Sequence, residues 1–309
     1  MSARFGPAGR PDSFTAMGFK KTPEIPAYLE TFGLNAFEYQ CGRGVRYVEA
    51  DLLALKAAAE RADIALSVHA PYYISLSSTE EEKRRNSVGY IADTARAARI
   101  MGGDRIVVHT GSCGKISREE ALSLAGDTLS LALAELDRLG LSDITVCPET
   151  MGKVNQLGTL SEVLALCAAD ERLLPCVDFG HLNARTFGSI RSQADYAALL
   201  DQMENALGRD RVAVGGQGVV HVQDDGADAL FREKRRRQVG DVPGQIAGPK
   251  QRHSSSLRKR KSERKTPAFI YNDTRSGWPG RQNAVTRNYL NLRFRAASDF
   301  FLRLTEGFS

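Results

Sequence analysis

Five apolar runs in this chain end on a side chain able to bind a metal. Residues 64–68 run into His69, 106–108 into His109, and 144–148 into Glu149. Residues 173–177 run into Asp178, with His181 three positions on, and 219–220 run into His221. Imidazole combined with carboxylate suits zinc, manganese or iron. A carboxylate in the middle of such a set, as Glu149 is, can bridge two ions about 3.5–4 Å apart. Two ions so placed generate hydroxide from water and stabilise the oxygens of an in-line phosphoryl displacement. Taken singly, each residue has a plainer reading: a hydrogen-bonded histidine at a strand end, a turn cap at Asp178, a solvated carboxylate at Glu149. But the chain has five histidines and four fall in this recurring context, so a shared metal centre is the better reading of the set.

These residues must be positioned by the elements that carry them. The chain alternates between short β-type runs and longer amphipathic stretches. Strands are expected at residues 3–5, 36–40, 64–68, 106–108, 144–148, 173–177 and 219–220, and a weaker eighth at 267–272. Helices are expected over 22–32, 49–62, from Ser78 or Thr79 to Met101, from Ser117 to Leu139, from Thr159 onward, and over 192–207. Glu82, Glu120 and Glu162 each stand where a capping box would place them. Pro71 stops the third strand just after His69. Such strand–helix alternation implies a parallel sheet with helices outside. A doubly wound sheet gathers ligands at one switch point, whereas a closed barrel brings successive strand ends around one centre. Five consecutive ligand-bearing strand ends therefore predict a (β/α)8 TIM barrel with its site at the C-terminal face.

Composition bounds the rest. At 309 residues with 42% hydrophobic content, the chain can bury a full core. No apolar run approaches the ~20 residues of a membrane span, and residues 1–20 lack an apolar signal core, which predicts a cytoplasmic protein without membrane contact. The five cysteines (Cys41, Cys113, Cys147, Cys167, Cys176) form no CxxC pair and read as free thiols in a reducing compartment. The net charge of +5 is uneven: residues 231–265 hold 13 basic and 3 acidic side chains, and the remainder is mildly acidic. Three regions are expected: a metal-binding barrel at 1–230, a basic low-order segment at 231–265, and a C-terminal piece at 266–309 with the eighth strand and a helix. The loops Gly42-Arg43-Gly44 and Gly111-Ser112-Cys113-Gly114-Lys115 have two readings, backbone N–H groups that contact phosphate or ordinary tight turns, the second being the plainer.

The segments Ser67-Val68-His69-Ala70-Pro71-Tyr72, Val107-Val108-His109-Thr110-Gly111-Ser112, Cys147-Pro148-Glu149-Thr150-Met151-Gly152 and Cys176-Val177-Asp178-Phe179-Gly180-His181-Leu182-Asn183-Ala184 resemble endonuclease IV. That family is a zinc-dependent apurinic/apyrimidinic endonuclease on the xylose isomerase-like TIM barrel, and the resemblance covers about residues 1–210. It implies a monomeric hydrolase of DNA repair that holds two or three zinc ions, with manganese the alternative, and cuts DNA 5′ to abasic sites. It places His69, His109 and Glu149 around one ion, Glu149, Asp178 and His221 around a second, and His181 at a third. Glu149 would be the catalytic bridging ligand. Tyr72 would contact the DNA, although packing in the loop after the third strand serves it equally well. The likeness weakens after residue 210. The family's Asp-x-His pair is absent, and its final strand-borne glutamate has at best Asp273 in its place. An incomplete third site leaves a second reading open, a sugar isomerase or epimerase that polarises a carbonyl with one or two ions. A third is a barrel that binds nucleic acid without catalysis.

The basic segment has few large apolar residues and many charges, so it cannot bury enough surface to order itself. Trypsin is expected to cut first between Arg232 and Lys265 and leave a resistant core of about 230 residues, the length set by the first expected site. A segment as resistant as the core would reverse this reading.

Overall fold

The computed structural model describes residues 4–215 and 220–222, with side chains described from Arg4 through Val212. In chain order the elements are β1 (Phe5–Pro7), α1 (Asp12–Ala16), a 3₁₀ turn (Thr22–Glu24), α2 (Ile25–Glu30), β2 (Ala36–Gln40), α3 (Glu49–Arg61), β3 (Ala65–His69), α4 (Glu81–Met101), β4 (Arg105–His109), α5 (Arg118–Arg138), β5 (Thr145–Glu149), α6 (Leu160–Ala168), α7 (Phe179–Arg185), α8 (Gln193–Leu207), α9 (Arg209–Gly215) and β6 (Val220–Val222). The strands β2, β3, β4 and β5 pair in parallel in that order, and β1 pairs in parallel with β6. A parallel bridge from Ala8 to Glu38 joins the two sheets. Together they form the wall of a TIM barrel with helices outside it, as the alternation predicts.

Side chains alternate across that wall with the period of two that a strand imposes. Leu66, Val68, Ile106, Val108 and Val146 face outward into the main core with α3, α4 and α5. Val107 and Cys147 face inward and form a separate small cluster with Leu174. The inward set also carries the polar residues: Glu38, Ser67, His69, His109 and Glu149 share this parity along their strands. The helices bury Leu52, Leu55 and Ala59 on α3, and Ala121, Ala125, Leu129, Ala132 and Leu136 on α5, at helical spacing. Gly102 ends α4 at φ +79, the left-handed conformation that favours glycine. Gly6 is required for a different reason: a Cβ there would lie 1.6 Å from the Ala36 carbonyl oxygen.

The structure corrects several expectations. The first strand is β1 at Phe5–Pro7, two residues later than expected. The run 173–177 is not a regular strand. It meets β5 at bridges at Leu173 and Cys176, with the Leu174 and Cys176 N–H groups donating to the Val146 and Pro148 carbonyls at 3.2 and 2.9 Å. Helix α4 is not opened by Ser78 or Thr79 with Glu82. Its N-cap is Glu80, whose N–H donates to Ser78 Oγ at 3.2 Å, so the serine is used one turn too early. The short helices α1, α7 and α9 have no counterpart in the sequence reading. The eighth strand expected at 267–272 lies outside the described residues, as does the basic segment 231–265. Instead β6, with Gly6 opposite His221, takes the place beside β1. Pairing there satisfies an edge that would otherwise present bare N–H and C=O groups.

The capping box at Thr159 and Glu162 is present as predicted. Glu162 accepts from the backbone N–H groups of Gly158 and Thr159, both at 2.8 Å, and takes two hydrogen bonds from Arg118 at 2.6 and 2.7 Å. Burial alone would raise this carboxyl, but Arg118 and the two amides outweigh it and bring it down to about 2. A folded value below the unfolded one contributes stability at neutral pH that is lost as pH falls through the folded value. Glu162→Gln is expected to lower unfolding stability at pH 7 by about 2 kcal/mol. The gap between variant and parent should narrow from about pH 4.3 downward. Urea unfolding of both proteins across that range checks this, and a constant difference would contradict it.

Candidate metal centre

His69, His109 and Glu149 reach one place because β3, β4 and β5 are in register. His109 pairs directly with Glu149 across β4 and β5, and His69 pairs with Val107 across β3 and β4. Each side chain points inward from the last residue of its strand. Glu149 is 2% exposed, and its Oε2 lies 3.2 Å from His69 Nε2 and 3.3 Å from His109 Nε2. The two imidazole rings stand edge to face at 5.1 Å.

The second carboxylate arrives by a different route. Asp178 is the N-cap of α7, its Oδ1 accepting from the His181 N–H at 2.7 Å. The cap and the candidate ligand are thus the same side chain. The first turn of α7 carries His181 back toward β5, where its Nδ1 lies 3.5 Å from both Glu149 Oε1 and Asp178 Oδ2. Thr150, fully buried, ties this corner: its Oγ1 accepts from the Asp178 N–H at 2.9 Å, and its carbonyl lies 2.9 Å from His181 Nδ1. Gly152 leaves the room, since a Cβ there would stand 3.2 Å from the His181 ring.

Two groups of ligand-capable atoms result among the described residues: His69, His109 and Glu149, and Glu149, Asp178 and His181, each within 4.8 Å. Glu149 belongs to both. The structure thus sets His181 beside Glu149 and Asp178, whereas the resemblance assigns it to a separate ion. Residue His221 sits on β6, and its side chain lies outside the described set. The donor chemistry of the first group fits a divalent metal. His69 Nδ1 lies 2.8 Å from the Ala70 carbonyl and His109 Nδ1 lies 3.3 Å from the Tyr72 carbonyl. A ring that donates from Nδ1 keeps its Nε2 lone pair for a ligand role, the usual outer-shell arrangement. At His181 the contact with the Thr150 carbonyl puts the proton on Nδ1 and leaves the lone pair on Nε2.

Electrostatics follow from burial and pairing. Burial disfavours a charged His69, yet the hydrogen bond and negative charge of Glu149, with the charge of Glu38 behind it, raise the imidazole to about 9. Burial likewise opposes the Glu149 carboxylate, but His109 and His69 hold it well below the usual carboxylate range. Glu38 is a participant that the sequence reading missed. It is 1% exposed, accepts from Ser67 Oγ at 3.2 Å and Gln40 Nε2 at 3.0 Å, and lies on the inward face of β2. The signal was available: a carboxylate within the run Ala36-Phe37-Glu38-Tyr39. Tyr72 is exposed, with its ring 5.7 Å from Tyr73, and Tyr73 stacks edge-on to Tyr90 at 4.8 Å. The cysteines form no disulfide, and burial pushes Cys147 up to about 12 and Cys41 to about 11.

Comparison with known proteins places this geometry among relatives. Residues 26–247 match the family described as xylose isomerase-like TIM barrel. An uncharacterised protein of Methanocaldococcus jannaschii is 34% identical over 212 residues, which is 67% of this chain and 72% of the relative. Endonuclease 4 of Thermus thermophilus is 27% identical over 227 residues, covering 72% of this chain and 73% of that one. A crystal structure of endonuclease IV from Thermus thermophilus superposes with a TM-score of 0.51 at 25% identity, over 67% of this chain and 73% of the other. A D-tagatose 3-epimerase-like protein superposes with a TM-score of 0.55 over 75% of this chain and 94% of that chain, at 17% identity, which speaks for the fold alone.

In metal-free protein the His69 ring is expected to titrate near 9 by NMR. In Glu149→Gln it should titrate well below the parent, because burial is then opposed only by Glu38 and the Ala70 carbonyl. A His69 resonance titrating alike in both proteins would separate the ring from Glu149.

Proposed function

The chain belongs to the xylose isomerase-like TIM barrel family, and from that premise we propose that it is a metal-dependent phosphodiesterase that cuts the DNA backbone 5′ to abasic sites. The observation that carries this reading is Glu149, one buried carboxylate shared by two ligand groups at the C-terminal face of the barrel. His69, His109 and Glu149 would hold one ion, Glu149 and Asp178 a second with His221 brought by β6, and His181, whose Nδ1 is committed to the Thr150 carbonyl, would offer its Nε2 to a third. Zinc suits this imidazole and carboxylate set, with manganese the alternative. Ions bound there would supply hydroxide at neutral pH and charge stabilisation for the phosphoryl oxygens.

The protein's own residues do the positioning. The Ala70 and Tyr72 carbonyls fix the ring planes of His69 and His109. Glu149 stays ionised because its two histidine partners hold it so. Asp178 is held by its own cap, which keeps its second oxygen facing His181. Tyr72 stands exposed on the loop that contacts His109, where it would meet the nucleotide beside the cut. The basic segment 231–265 would add sequence-independent attraction to phosphate that falls steeply with salt.

A sugar isomerase or epimerase would need only the same ions. The likeness to epimerases is confined to the fold, whereas that to endonuclease 4 extends to sequence at 27% identity, which favours the nuclease. Purified protein never exposed to chelator is expected to hold about two ions, the number that sharing Glu149 allows. It should incise a duplex carrying one tetrahydrofuran abasic analogue and not its intact counterpart. Glu149→Gln should reduce incision by more than about a hundredfold, beyond the loss usual for an outer-shell partner, with its circular dichroism unchanged. Epimerisation of a ketohexose without incision would replace this reading with the alternative. Elemental analysis showing no metal would remove both.

A further inference from the structure

Phe187 is out of place for a folding residue. Its backbone has φ +54, in the left-handed region that a phenylalanine rarely adopts. Its side chain is 86% exposed, more than any other large hydrophobic residue among those described. Exposure removes the packing gain, and the backbone conformation is itself unfavourable, so the stability of the fold gives no reason for an aromatic ring here.

The loop that presents the ring is tightly built. The Phe187 N–H donates to the Ala184 carbonyl at 3.2 Å, and the Gly188 N–H to the Asn183 carbonyl at 2.8 Å. Asn183 Oδ1 accepts from the Ile190 N–H at 3.1 Å, and Arg191 Nε donates to the Gly188 carbonyl at 2.7 Å. The backbone that carries the ring is therefore fixed in advance, a preorganisation that reduces the entropy lost on contact.

Its location connects it to the candidate centre. Phe187 lies two residues beyond the end of α7, whose first turn carries His181. Arg185, between them, donates to the carbonyls of Met151, Lys153, Val154 and Gln156, and so pins this loop to the one that follows Glu149. The two loops together expose Phe187, Val154, Lys153 and Arg191. An exposed aromatic ring on joined loops that also expose cations has the chemistry that meets a nucleic-acid strand, with the ring on a base face and the cations on phosphates.

We infer that Phe187 is a substrate-contacting residue that stacks on a base of the DNA strand a few nucleotides from the abasic position, with Lys153 and Arg191 on the adjoining phosphates. This rests on the DNA reading of the centre. The test uses full-length, metal-loaded protein and the variants Phe187→Ala, Phe187→Gly and Phe187→Trp. Fluorescence anisotropy reads binding to a duplex with one tetrahydrofuran site, and 2-aminopurine placed at successive flanking positions reads stacking. Phe187→Ala and Phe187→Gly should bind the abasic duplex about tenfold more weakly, and Phe187→Trp as the parent does. Metal content should be unchanged throughout. The parent should alter 2-aminopurine emission at one flanking position, and Phe187→Ala should not. Phe187→Gly should unfold at the same temperature as the parent or higher, because glycine relieves the left-handed backbone.

Binding by Phe187→Ala within twofold of the parent would overturn the inference, as would an equal loss in Phe187→Trp. A lower sedimentation mass in Phe187→Ala would assign the ring to a second copy of the chain and overturn it too. If the parent itself fails to prefer abasic duplex, the DNA reading falls and takes this inference with it. That outcome is read on the parent alone and is distinct from a failure confined to the variants.

Discussion

A carboxylate that is 2% exposed can stay charged only if the protein surrounds it with compensating groups, and Glu149 is such a carboxylate. Three histidine rings lie within 3.5 Å of its oxygens. Each ring is braced in turn by a backbone carbonyl, from Ala70, Tyr72 and Thr150. Those carbonyls belong to the segments that leave β3 and β5, so the loops at this end of the barrel are set by the demands of one buried charge. The register of β4 against β5, with His109 opposite Glu149, is the backbone expression of the same requirement.

The two faces of the barrel wall divide the work. Outward residues such as Val68, Ile106 and Val146 join the helices in the large apolar core, while the inward face carries Glu38, Ser67, His69, His109 and Glu149 around a small cluster of Val107, Cys147 and Leu174. Apolar burial thus comes mainly from the strand–helix layer, and the interior is left free for chemistry. Arg118, Glu162 and Arg185 extend this division into the loops. They hold the segment between β5 and α6 through its carbonyls and amides, without touching the ligand groups themselves.

The strand ends were legible because strand parity and the position of a metal-capable side chain are both local properties of sequence. The run at Ala36–Gln40 and the caps at Ser117 and Thr159 are of the same kind, a few adjacent residues whose chemistry decides the outcome. What escaped was decided at a distance. Helix α7 is seven residues long, begins on a residue already read as a ligand and contains Gly180, so nothing local distinguishes it from a loop. That Asp178 caps the helix and also faces His181 is visible only when both are placed. The alternate role of Ser78 depends on one hydrogen bond, the contact of residues 173–176 with β5 on three backbone hydrogen bonds to residues far back in the chain, and β6 beside β1 on a pairing across more than 200 residues. Glu38 escaped for a different reason. It lies in mid-strand, and a carboxylate inside an apolar run is passed over when ligands are sought only at strand ends.

The five cysteines have a practical consequence. None is exposed and none forms a disulfide; burial keeps Cys41, Cys147, Cys167 and Cys176 as neutral thiols, and Cys113 is buried as well. Maleimides and other electrophiles act on accessible thiolates, so the native sulfur atoms are poor targets for them. A cysteine introduced at an exposed position would react first and nearly alone. The chain is in effect already a background for site-directed spin or dye labelling, with no native thiol needing to be removed and the interior wall left undisturbed.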